Sequence, residues 1–313
     1  MMPFVVPDVL VLGAGGVLGE AWLSGVLAGI EDAAGADLRE VESLVGTSAG
    51  SIVAASLAAG RSPRRPGPAS DDPGRPADPA ARGLASATRS ALKRVSAPAV
   101  AGAAPLVPLV VAAAAPGGAL LRAGILSRVP RAGQRLDALR ERVDSWSPGW
   151  DGQLRVCVLD RARGRRVVLG TPGAPDATVG EAVAASCAVP WLFAPVTIAG
   201  REYVDGGVWS PTNLDAAPAG RGTHVLCLTP TGGANVPRSV WGALRAAGRT
   251  GAEVEALALR RRGARVRVIG PDAATARAMG DDFMDAGPVD RVLAAGFAQG
   301  RTIGDVPESG PNG

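Results

Sequence analysis

Leu44-Val45-Gly46-Thr47-Ser48-Ala49-Gly50-Ser51-Ile52-Val53 is a short apolar run that breaks at Gly-x-Ser-x-Gly and resumes with helix-forming residues. A strand that meets a helix across such a turn forms a nucleophile elbow, with the serine hydroxyl held out at the carboxyl edge of a sheet. Gly46 and Gly50 leave room where strand and helix would otherwise collide. The helix, expected over 51–59 with Gly60 as its stop, directs backbone N–H groups at the same spot. A glycine-rich turn whose serine merely caps the helix is the competing reading of these residues.

Composition narrows what can activate Ser48. The chain holds one histidine, His224, at the head of the apolar run His224-Val225-Leu226-Cys227-Leu228-Thr229. A Ser-His-Asp triad would have to use it, yet an isolated polar residue in that position more often marks a strand end. A carboxylate is therefore the expected partner. The candidate is Asp205, in Arg201-Glu202-Tyr203-Val204-Asp205-Gly206-Gly207-Val208. Tyr203 and Val204 read as a strand, and the glycine pair turns tightly enough to bring the carboxylate against neighbouring backbone. Alone, an Asp-Gly turn would signal only a hairpin.

A second glycine-rich junction precedes the elbow. Asp8-Val9-Leu10-Val11-Leu12 runs into Gly13-Ala14-Gly15-Gly16-Val17-Leu18-Gly19, and an amphipathic helix is expected over 20–34. Such a junction gathers backbone N–H groups in one concavity, which suits a pyrophosphate or the oxyanion of a tetrahedral intermediate. A dinucleotide site calls for an acidic residue at the end of the next strand, about 20 residues past the glycines. Here the next strand ends at Gly46 with a serine behind it. A dinucleotide-binding oxidoreductase stays open as an alternative.

Taken together, these blocks resemble the patatin-like lipid acyl hydrolases, in particular the bacterial branch. The resemblance rests on Gly13 to Gly19 with Gly25-Val26-Leu27, then Val45-Gly46-Thr47-Ser48-Ala49-Gly50, then Tyr203-Val204-Asp205-Gly206-Gly207, in that order. Ala185-Ser186-Cys187-Ala188-Val189-Pro190-Trp191-Leu192-Phe193-Ala194-Pro195 is similar to the segment that precedes the family's aspartate. The resemblance implies a three-layer α/β/α sandwich with a mostly parallel central sheet and a helical insertion. It implies a serine lipid acyl hydrolase that cleaves carboxylic esters of lipids or phospholipids through an acyl-enzyme, with neither cofactor nor metal. Ser48 would be the nucleophile and Asp205 the base, and the N–H groups around Gly15, Gly16 and Val17 would form the oxyanion hole. A carboxylate of ordinary pKa, about 3.9, is a poor base for a serine proton, so Asp205 is expected to be buried. Two positions depart from the family's loop: Ala14 replaces a glycine, and Leu18 stands where a basic residue is usual. One extra residue also separates Gly19 from Gly25. A noncatalytic lipid-binding or interaction homologue is accordingly a further alternative.

The 313 residues suffice for one domain, and the formal net charge is +4. We expect a single patatin-like domain over 1–313, with 61–150 a basic and apolar lid or cap inserted in it. Between 61 and 130, Arg61, Arg64, Arg65, Arg75, Arg82, Arg89, Lys93, Arg94, Arg122 and Arg128 face only Asp71, Asp72 and Asp78, a surplus of +7. The first part, 61–80, is rich in Pro, Gly and Ala and reads as a flexible loop. The apolar stretch 106–115 is interrupted by prolines at 105, 108 and 116, so no membrane-spanning helix is expected there. A basic flank beside an apolar segment suits a lid that docks on an anionic membrane; a packed cap with a solvated loop is the plainer reading. Trp146 and Trp150 read as cap anchors or interfacial residues.

Cys157, Cys187 and Cys227 are too few and scattered for a disulfide framework or a zinc site, and read as reduced thiols of a cytoplasmic protein. No basic region precedes the apolar residues of 1–7, so no signal peptide is expected. The expected partners are a lipid ester and the anionic inner face of the membrane, with no nucleic acid. Further along, the pattern predicts a hairpin over 154–159 and 166–169, a helix over 179–185 and a strand over 225–228. Helices over 239–247 and 252–261, a strand over 266–269 and a disordered tail over 305–313 complete the reading.

Overall fold

In Val9-Leu10-Val11-Leu12 every side chain is fully buried, because a strand sends successive side chains to opposite faces and this one is covered on both. Leu10 and Leu12 enter one core with Leu44, Val156, Leu226 and Leu228. Val9 and Val11 enter another with Val45, Cys157, Val225 and Cys227. The two cores define three layers. A computed structural model of the chain describes residues 4–67, 119–146, 149–232 and 240–305. The expectations for most of the 61–80 loop, for the apolar stretch 106–115 and for the tail beyond 305 fall on 68–118 and 306–313, outside the described residues.

The strands are β1 (Val9–Leu12), β2 (Ser43–Gly46), β3 (Leu154–Asp160), β4 (Arg165–Leu169), β5 (Val196–Ile198), β6 (Arg201–Asp205), β7 (His224–Leu228) and β8 (Arg265–Ile269). They form one sheet in the order β5-β6-β3-β2-β1-β7-β8, with β4 paired to β3. The run β3-β2-β1-β7-β8 is parallel throughout. The edge is not, since β4 and β6 pair antiparallel to β3, and β5 antiparallel to β6. The sheet is thus mixed, with a parallel centre, and the expected α/β/α sandwich holds.

The helices are α1 (Gly16–Ala34), α2 (Ala49–Ala58), α3 (Ala119–Arg128), α4 (Asp137–Ser145), α5 (Val179–Ser186), α6 (Val240–Arg261), α7 (Ala273–Met279) and α8 (Val289–Asp305). Helices α1, α2, α4, α5 and α8 contribute to the first core. Ala256 and Leu259 of α6 cover the other face with Leu214. Expected helices over 239–247 and 252–261 are one continuous helix, α6: its glycines lower helix propensity by about 1 kcal/mol each, and burial of Ala252, Ala256 and Leu259 outweighs that.

The described part of the expected insertion packs on this framework. Leu126 of α3 meets Leu159 and Val204 in a small third cluster. Arg161 Nη2 donates to the Leu126 and Val129 carbonyls (3.0 and 2.9 Å), closing the carboxyl end of α3 against the sheet. Trp146 is stacked by Arg61 at 5.2 Å and packs against the first core, and Trp150 Nε1 donates to the Ala177 carbonyl (2.7 Å). Both tryptophans act as anchors here.

Candidate active site

Sheet register brings Ser48 and Asp205 to one edge. Gly46 pairs with Val156, so Ser48 lies two residues past that level; Asp205 pairs with Val158, also two residues past it. Because β6 runs antiparallel to β3, the aspartate closes its strand where the serine leaves its own.

At Ser48 the backbone takes φ +52° and ψ −121°, a conformation that L-residues rarely adopt and that marks a strained elbow. Its N–H donates to Ser186 Oγ (2.9 Å), and Ser186 in turn donates to the Cys157 carbonyl (2.7 Å). Ser51 Oγ donates to the Ser48 carbonyl (2.6 Å). The elbow's strand and helix approach so closely that a Cβ on Gly46 would lie 2.5 Å from Ser51 Cα, and the end of β1 so closely that one on Gly50 would lie 1.9 Å from the Leu12 carbonyl oxygen. Helix α2 begins directly behind the serine, at Ala49 rather than at the expected 51.

Asp205 is buried, and its Oδ1 accepts the Gly207 N–H at 2.7 Å. Burial raises its pKa to about 6; the Gly207 N–H and the neighbouring Ser48 hydroxyl pull it partly back. A carboxylate so placed is ionised at neutral pH and is a far stronger base than an exposed one. Asn213, held at φ +48°, ties the two halves together: its Nδ2 donates to Thr47 Oγ1 (3.1 Å) and to the Gly206 and Ser210 carbonyls (3.2 and 2.7 Å).

The glycine loop after β1 forms the opposite wall. The amides of Gly13, Ala14, Leu18 and Gly19 donate to Leu228, Pro211, Phe283 and Gly15 carbonyls at 2.7–3.0 Å. Among the described residues no acceptor takes the amides of Gly15, Gly16 or Val17, which line the cavity. Gly16 has φ +59°, which orients this first helical turn. Leu18 is fully buried in the core, so the position expected to carry a cation faces away from solvent.

Ser48, Asp205 and the glycine loop share one cavity of about 330 Å³, walled elsewhere by apolar side chains such as Ile52, Leu126, Trp191 and Phe193. Cys187 also lines it, but burial pushes its thiol far above the ordinary range and keeps it protonated. His224 does not line it. It sits at the amino end of β7, level with Asp8, its Nε2 3.1 Å from Arg265 Nη1. Gly46, where the elbow begins, is level with Leu228, four residues or about 13 Å along the strand direction from His224, and Ser48 lies beyond it.

Ser186, Asn213 and Arg122 belong to this site although the sequence marks none of them for it: Arg122 counts there only toward the basic surplus of the expected lid, and it is instead buried in the cavity wall. Ser186 lay inside a stretch already singled out; the others had no local signal.

A strand–elbow–helix serine at the carboxyl edge of a mixed α/β/α sandwich, opening into an apolar cavity, defines the class of fold. Residues 10–218 match the family model for patatin-like phospholipase, and the chain belongs to that family. Membership supports lipid acyl hydrolysis as the general activity, with a lipid as substrate. Among curated proteins no match was found. Among the described residues no helix is long and apolar enough to cross a membrane.

Proposed function

We propose that this protein is a serine hydrolase of lipid carboxylic esters that works through a Ser48–Asp205 dyad. The observation that carries the reading is Ser48, on its strained elbow, sharing one cavity with a buried carboxylate of raised pKa, while the chain's one histidine lies at the other end of the strands. Asp205 takes the Ser48 proton as Oγ bonds to the ester carbonyl carbon. The carbonyl oxygen becomes an oxyanion, held by the amides of Gly15, Gly16 and Val17. Collapse of that intermediate expels the alcohol, which receives the proton from Asp205 and leaves an acyl-enzyme. Water then repeats the sequence, with Asp205 as base, and releases the fatty acid. Ser186 and Asn213 are positioning residues: one fixes the elbow backbone, the other links Thr47 to the Asp205 turn.

We read the chain as one domain in which 61–150 is an insertion, and the positive surplus of 61–130 supports peripheral contact with an anionic bilayer on the cytoplasmic side. The test is labelling with a fluorophosphonate probe followed by peptide mapping. Attachment at Ser48, and loss of both labelling and p-nitrophenyl butyrate hydrolysis in Ser48→Ala with the fold retained, is the expected result. Labelling at another serine removes Ser48 from this role, and absence of any labelling or hydrolysis favours the noncatalytic alternative.

A further inference from the structure

Arg122, on α3, is 3% exposed and lines the cavity that holds Ser48 and Asp205. Among the described residues it is the one cation lining that cavity; the other ionisable groups there are Glu20, Cys187, Asp205 and Asp282. No ion pair joins Arg122 to any of them within 4 Å among the described residues. Its Nε donates to the Gly164 carbonyl (3.0 Å), while Nη1 and Nη2 are buried without a hydrogen-bond acceptor among the described residues. A buried guanidinium with both terminal nitrogens unpaired is costly, and native structures retain such a group where a ligand completes it.

The group is also held rigidly. Its guanidinium stacks on the Trp209 ring at 4.1 Å, and Trp209 follows the Asp205 turn by four residues. Gly164 packs so tightly under α3 that a Cβ there would lie 2.2 Å from the Ala119 carbonyl oxygen, and Arg161 ties down the other end of the helix. With one face stacked and Nε engaged, the two terminal nitrogens are the donors left over beside the cavity, and their spacing matches paired anionic oxygens.

We propose that Arg122 is an anion subsite that holds the phosphate of a lipid head group while the ester reaches Ser48. The inference rests on the hydrolase reading for its purpose, but not for its geometry. It makes phospholipids, rather than neutral glycerides, the preferred substrate class. The apolar walls take the acyl chain and the guanidinium takes the phosphate, so a ligand needs both parts to bind well.

The test is calorimetric binding of octyl phosphate, 1-octanol and inorganic phosphate to the full chain carrying Ser48→Ala. Octyl phosphate is expected to bind about tenfold or more tightly than either of the others, a scale usual for a charge-assisted bidentate contact. Adding Arg122→Gln, which keeps a donor for the Gly164 carbonyl, should lower octyl phosphate affinity about tenfold and leave octanol unchanged; Arg122→Lys should retain part of the preference. Equal affinity of the Ser48→Ala protein for octyl phosphate and octanol would overturn the proposal, and that comparison needs no substitution at Arg122. Inorganic phosphate binding as tightly as octyl phosphate overturns the lipid source in favour of free phosphate. Fluorophosphonate labelling of the unsubstituted protein separates the two readings. Labelling without phosphate preference sinks the subsite alone, whereas an Arg122-dependent preference without labelling or hydrolysis sinks the hydrolase reading and leaves the subsite standing.

Discussion

Asp205 couples catalysis to stability through one proton. With a native pKa of about 6 against an ordinary 3.8, the folded protein holds this proton over a range where the unfolded chain has released it. Stability therefore falls as pH rises from about 4 to beyond 6, by up to about 3 kcal/mol from this group, in order of magnitude. Ester hydrolysis follows the opposite course, because the base must be ionised: kcat/KM should rise through about pH 6 and level off above it. Asp205→Asn is expected to lose about 10²-fold or more in kcat and to flatten the stability slope between pH 4 and 7 in urea titrations. An unchanged slope in the variant would show that Asp205 titrates normally. His224→Ala is expected to keep kcat/KM within about tenfold, since the imidazole lies a strand's length from the elbow. Loss of activity in that variant together with survival of Asp205→Asn would replace the dyad with a triad.

At the scale of elements, α1 crosses α8 with backbone nearly touching backbone. A Cβ on Gly25 would lie 2.3 Å from the Leu293 carbonyl oxygen, one on Gly29 2.2 Å from that of Phe297, and one on Gly300 2.2 Å from that of Val26. Trp22 Nε1 closes the same interface on Gln299 Oε1 at 2.9 Å. Gly300→Val should destabilise the fold by about 3 kcal/mol or more, because neither helix can retreat without opening the core around Trp22 and Val292. Thermal unfolding checks this, and a midpoint unchanged within a degree or two rules the tight crossing out. Nothing in the spacing of 289–305 names α1 as its partner. Gly296, Gly300 and Gly304 read locally as helix weakeners, and only the facing glycines of α1 turn them into a contact surface.

For the whole molecule, the question is where the positive surplus of 61–130 goes. Arg65 is paired with Asp32 at 2.9 Å and Arg61 stacks on Trp146, so these two are already engaged with the domain. Arg122 is buried in the cavity wall, so the other basic residues of 61–130 are left for the proposed membrane contact, worth about 1 kcal/mol for each that reaches the headgroups and screened over about 8–10 Å at ordinary salt. Co-sedimentation with phosphatidylglycerol vesicles should exceed that with phosphatidylcholine vesicles and should fall as salt rises. Equal sedimentation with both leaves the insertion as a packed cap. Hydrolysis of a soluble ester should change little with salt, since the dyad lies buried in its own cavity.

The sequence alone determined the parts whose causes are local. Elbow, glycine loop and Asp-Gly-Gly turn were legible because a tight turn admits few residue types, and the strands because their apolar runs are short and bounded. The single histidine already directed attention to a carboxylate. Tertiary structure alone decided what depends on juxtaposition. Ser186 beneath the elbow, Asn213 between Thr47 and Gly206, and Arg122 in the cavity wall are separated from Ser48 along the chain by 138, 165 and 74 residues. The raised pKa of Asp205 belongs with them, because desolvation is a property of everything packed around a group and no neighbour in sequence supplies it.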